Sequence, residues 1–76
     1  MGLQQDIHDQ RATFISDFNS EKGNASRKAN IANLWGTFKA TVATLLTTAQ
    51  SEGNAHAEVL LNTLSDELQV AKDDLT

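Results

Sequence analysis

The sequence predicts an all-α protein, an antiparallel up-down-up three-helix bundle whose helices are joined by Gly-Asn turns. Three observations predict it. Apolar residues recur at steps of three and four in three separate blocks, the spacing that keeps side chains on one face of a helix. Two Gly-Asn pairs, Gly23-Asn24 and Gly53-Asn54, fall between those blocks. Proline, the strongest helix breaker, is absent from all 76 residues.

The first block carries Leu3, Ile7, Phe14, Ile15 and Phe18. The second carries Ile31, Leu34, Phe38, Val42, Leu45 and Ala49, and the third Ala57, Leu61, Leu64, Leu68, Ala71 and Leu75. No stretch alternates at period two, so no strand is expected. At each joint, glycine suits the left-handed residue that ends a helix and asparagine suits the N-cap of the next. A single helix running through the first joint would lose its stripe. The step from Phe18 to Ile31 turns the apolar face by roughly 220° on an ideal helix. The helices therefore cover about residues 2–22, 25–52 and 55–75 of one domain spanning residues 1–76. Short connections make successive helices antiparallel. Each helix must then touch two others, which needs a wide stripe. The doubled positions Phe14-Ile15, Leu34-Trp35, Leu45-Leu46 and Leu60-Leu61 supply that width.

Composition narrows the function. There is no cysteine, which removes disulfides, thiolate metal sites and thiol catalysis. The net charge of −4 argues against a nucleic-acid partner. Charge is also unevenly placed. The middle block holds Arg27, Lys28 and Lys39 against Glu52 alone, while the outer blocks are acidic. Complementary fields of that kind are expected to help the three helices dock. No run approaches the roughly 18 apolar residues of a membrane span. The first residues lack the basic and apolar regions of a secretion signal, so a cytoplasmic protein is expected.

Chemistry-bearing motifs are missing. There is no glycine-rich phosphate loop, no His-Glu-x-x-His and no Glu-x-x-His pair, so no catalytic, cofactor-binding or metal-binding residue is assigned. His8 and His56 fall near the same end of the expected bundle, with Asp6 and Glu58 close in sequence. A metal or pH-sensing pair is one reading, and two solvated surface histidines are the favoured one. An enzyme is not expected.

A candidate partner surface lies on the second helix, at Trp35, Gly36, Thr37, Thr41, Thr44 and Thr48. Trp35 stands beside the main stripe, and tryptophan is enriched at binding hot spots. The competing reading has Trp35 covering a core edge and Gly36 admitting a second helix at close range. The threonines form a second stripe with helical spacing, either a semi-polar boundary or a flat face for another copy. At the far end, Asp73-Asp74 meets the negative pole of the last helix, so fraying is expected beyond about Val70.

The chain also resembles itself. Ala12-Thr13-Phe14-Ile15-Ser16 parallels Ala43-Thr44-Leu45-Leu46-Thr47, and Ser20-Glu21-Lys22-Gly23-Asn24-Ala25 parallels Ser51-Glu52-Gly53-Asn54-Ala55. The period is about 30 residues, through duplication or through convergence of similar joints. A repeat of this length with paired apolar residues resembles the helical repeats of gas vesicle protein C. The resemblance is carried by Phe14-Ile15-Ser16 through Leu34-Trp35-Gly36-Thr37-Phe38, and by Leu45-Leu46-Thr47-Thr48-Ala49-Gln50. It implies helices that clamp onto the outside of a protein-walled gas vesicle and stiffen it. The leading expectation is a non-enzymatic interaction or scaffold module whose partner is a protein or a second copy. The alternatives are a repeat protein that coats or stiffens a protein shell, and a small regulatory inhibitor of one enzyme or complex.

Overall fold

The computed structural model describes residues 2–76. Three helices form, α1 (Leu3–Ser20), α2 (Arg27–Glu52) and α3 (Ala55–Leu75), and each packs against both others. Successive helices are antiparallel, so α1 and α3 run side by side in the same direction. The up-down-up bundle read from the sequence is the fold. Its extents are 43 × 18 × 16 Å. The long dimension follows from α2, whose 26 residues rise about 39 Å at 1.5 Å each.

The core is the seam common to all three helices. Phe18, Ile31, Phe38, Leu61 and Leu68 are its largest fully buried side chains, with Ile7, Phe14, Ala49, Ala57 and Leu64 around them. No polar or charged side chain is buried among the described residues. The doubled apolar positions do what their spacing requires. In Phe14-Ile15 and Leu60-Leu61 one member is buried and the other packs against its edge. In Leu34-Trp35 and Leu45-Leu46 both members are half-buried and straddle the seam.

The second joint forms as expected. Gly53 takes the left-handed conformation at φ 66°, and its N–H donates to the Gln50 carbonyl at 3.2 Å. The Asn54 N–H reaches back to the Ala49 carbonyl at 2.8 Å, which completes a Schellman motif. The Asn54 side chain then accepts the Ala57 N–H at 3.0 Å and so caps α3. One residue closes one helix and opens the next.

The first joint departs from the reading. Residues 21–26 lie outside any helix, so α1 is shorter and α2 starts later than expected. Gly23 has the required positive φ of 86°, but Asn24 is not an N-cap. Its side-chain oxygen accepts the Ser26 N–H at 2.9 Å, and its amide donates to the Glu21 carboxylate at 3.0 Å. The Asn30 amide donates to the same carboxylate oxygen at 2.8 Å. Asparagine here competes with the helix for backbone donors and holds a wider loop. The capping position passes to Ser26, whose side chain makes no capping bond.

The third helix has the expected bounds, with α3 continuing to Leu75 in spite of the acidic pair in its last turn. Arg27 donates from Nε to the Leu75 carbonyl at 2.9 Å, Lys72 sits in the final turn, and Leu75 packs against the core. Cations at the carbonyl end offset the unfavourable placement of Asp73 and Asp74.

Gly36 does not admit a neighbouring helix, because a Cβ built there meets nothing within 4 Å. The two mid-chain glycines should therefore respond oppositely to alanine. Gly36→Ala removes backbone freedom from an exposed helix position and should stabilise by about 0.5–1 kcal/mol. Gly53→Ala forces an L side chain into the left-handed region and should cost about 1–2 kcal/mol. Urea midpoints of the two variants against the parent check both signs.

Candidate functional site

Six residues of α2 were read as one surface, and the helix divides them. Viewed down the axis, Trp35 lies about 40° to one side of the buried Ile31–Phe38–Ala49 line, at about 100° per residue. Thr37, Thr41, Thr44 and Thr48 lie about 80–140° to the other side, and Gly36 faces outward. The contacts agree with the wheel. Trp35 sits under Lys72 of α3, whereas Thr37 lines a groove with Asp17 and Ser20 of α1 and with Glu21 just beyond it. Trp35 and the threonines thus belong to opposite flanks.

The threonine flank is turned in on its own backbone. The Thr41 hydroxyl donates to the Thr37 carbonyl at 3.0 Å, Thr44 to Ala40 at 3.1 Å, and Thr48 to Thr44 at 3.2 Å. Their donors are therefore occupied within the helix. The groove beside them, about 360 Å³, is polar and includes Asn30, Asn33 and Leu34.

Trp35 is built into the edge of the core. Its ring stacks on Phe38 with centroids 5.3 Å apart and planes 30° from parallel. Phe38 meets Phe14 of α1 edge-on at 5.1 Å and 71°. Two ammonium groups lie near the indole, Lys72 Nζ at 4.9 Å and Lys39 Nζ at 5.6 Å from the ring centroid. Both fall within the range of cation–π attraction. The sequence placed Trp35 beside the stripe but gave no sign of Lys72, thirty-seven residues away.

The parallel run of α1 and α3 brings together residues that no motif joined. Gln4, Ile7, His8 and Arg11 face Leu60, Thr63, Leu64 and Glu67 across a groove of about 250 Å³. At its end Arg11 grips Glu67 with two hydrogen bonds, Nε to Oε1 at 2.6 Å and a second guanidinium nitrogen to Oε2 at 3.2 Å. The hydrogen bonds from Arg11 hold the Glu67 carboxyl below its ordinary value, and its burial opposes them only in part. His8 lies in this groove, while His56 is exposed beyond it. Among the described residues, no three His, Asp or Glu side chains converge as metal ligands would.

The expected charge attraction between α2 and its neighbours takes a different form. Among the described residues the only ion pairs are Arg11–Glu67 and Lys72–Asp73, and neither involves α2. Arg27 docks α2 onto α3 through a backbone carbonyl instead. Lys28 and Lys39 are exposed on the flank that carries Trp35.

No helix among the described residues is long and apolar enough to cross a membrane. No protein-family model, curated protein or solved structure matches this chain.

The Arg11–Glu67 pair should make stability depend on acid. A carboxyl whose pKa is lowered on folding stabilises the protein above its unfolded value, and that contribution disappears as pH falls through the folded value. Glu67→Gln should therefore lower the thermal midpoint at neutral pH. The gap to the parent should close as pH drops below the ordinary carboxylate range, and it should narrow in high salt. Melting curves across pH and salt provide the check.

Proposed function

We propose that this protein is a non-enzymatic helical interaction module acting in the cytoplasm. It engages another protein through the flank of α2 that carries Trp35. The observation that supports this most directly is the setting of the tryptophan. Its ring is stacked on Phe38, and Lys39 and Lys72 place cationic groups over it. A large aromatic held rigid at a core edge loses little conformational freedom on binding, which is why tryptophan so often anchors an interface.

The remaining chemistry of the surface fits a module better than a reaction centre. The titratable groups are spread along the outside, and in the polar groove beside Thr37 the Asn30 amide of α2 is already committed to the Glu21 carboxylate. The threonine flank has committed its donors to the helix and offers a partner mainly methyl groups. That leaves the Trp35 flank as the face that sets an aromatic ring among cationic groups.

A photo-crosslinking residue placed at Lys39, compared with one at exposed Asp9 on α1, tests the reading in cells. The expected result is a discrete protein adduct at position 39 that is absent at position 9. Trp35→Ala should reduce its yield several-fold, as loss of a hot-spot anchor does. Identical adducts at both positions, or none at position 39, would sink the proposal.

A further inference from the structure

Among the described residues, the lysines of α2 form no ion pair within the bundle. Lys28 and Lys39 stand seven residues before and four after Trp35, so the three share one flank of the helix. Lys72 joins them over the indole, offset by Asp73 at 3.0 Å. The result is a row of cations around an aromatic ring. A second row lies on α3, on the side away from the core. Asp66, Val70 and Asp74 follow one another at four-residue steps, which alternates carboxylate, apolar group and carboxylate. Val59, eleven residues before Val70, falls on the same side. Val59 and Val70 are the large apolar side chains left exposed, at 61% and 62%.

We propose that this acidic, valine-bearing face of α3 docks onto the Lys28–Trp35–Lys39 row of a second copy of the chain. The inference rests on the interaction-module reading and names the partner. Three arguments carry it. The rows are chemically complementary, with carboxylates opposite ammonium groups and Val70 opposite the indole. They are also of similar length, since Lys28 to Lys39 spans about 16 Å and Asp66 to Asp74 about 12 Å of helix. Within one molecule they cannot meet, because α2 and α3 pack through their core faces and the valine row points outward. An unrelated acidic partner would satisfy the lysines but leave Val70 in water. A second copy covers both surfaces at once.

Sedimentation equilibrium of the 76-residue chain over a range of concentrations, at low and high salt, tests the proposal. The expected result is association at high concentration that weakens as salt rises. Lys28→Glu with Lys39→Glu should weaken it about tenfold or more, and so should Asp66→Lys with Asp74→Lys, because each puts like charges face to face. All four positions are exposed, so circular dichroism should show unchanged helix content. Mixing the two variants should restore association, since the reversed charges then face opposite ones. Val70→Ser should weaken association without altering its salt dependence. A chain that stays monomeric, or one whose association survives both reversals or is not rescued by mixing, overturns the inference. If the chain is monomeric but crosslinking at position 39 captures a different protein, the second-copy partner is wrong and the interaction module stands. If neither experiment yields a complex, both fall.

Discussion

The burial of Phe38 is the contact on which the rest of the molecule depends. It lies in the middle of the longest helix and is fully enclosed. Its ring meets Phe14 of α1 on one side and carries Trp35 on another. Through Trp35 it reaches Lys72, and so α3. A chain this small has one seam in which to bury apolar surface, and small domains bury a smaller share of their surface than large ones. Aromatic rings concentrate burial into few residues, and their edge-on and offset contacts add specificity of angle. The same stack that closes the core thereby sets the indole at the surface in a fixed orientation.

The connections decide how the helices use that seam. At Gly53-Asn54 the reversal is complete within two residues, so the end of α2 and the start of α3 are held in one register. The loop at residues 21–26 is wider, and it is held by side chains: Glu21 receives both Asn24 and Asn30. The far end is then tied by Arg27 on the last carbonyls of α3. Backbone hydrogen bonds secure one end of the bundle and side-chain amides, carboxylate and guanidinium secure the other. With no buried polar side chain in the core, polar groups contribute at the ends and along the surface grooves.

Charge is divided unevenly over the surface of the bundle. The basic character of the middle helix read as a docking aid within the bundle. Lys28 and Lys39 instead stay exposed on the Trp35 flank and pair with no carboxylate among the described residues. What could have balanced charge inside the molecule is presented outside it, around the one tryptophan.

Much of this was legible in the residue order. Helical periodicity identified three helices because a three-and-four spacing has few other physical meanings, and glycine in the left-handed region marked both joints. The candidate site was legible only in fragments. Trp35 could be placed beside the stripe, but its separation from Thr37, Thr41, Thr44 and Thr48 became visible only when the core direction of α2 was known. The asparagine at the first joint misled, since its side chain can cap a helix or close a local turn and the surrounding residues choose. The end of the last helix was legible but its support was not, because that comes from Arg27, forty-eight residues away. By itself the sequence determined the class, the number of helices and the side of each that is buried, since these follow from local propensity and period. The tertiary structure alone decided the register of α1 against α3, the Arg11–Glu67 grip and the α3 lysine over Trp35. Those depend on how far each helix slides and rotates against its neighbours, which short-range pattern does not encode.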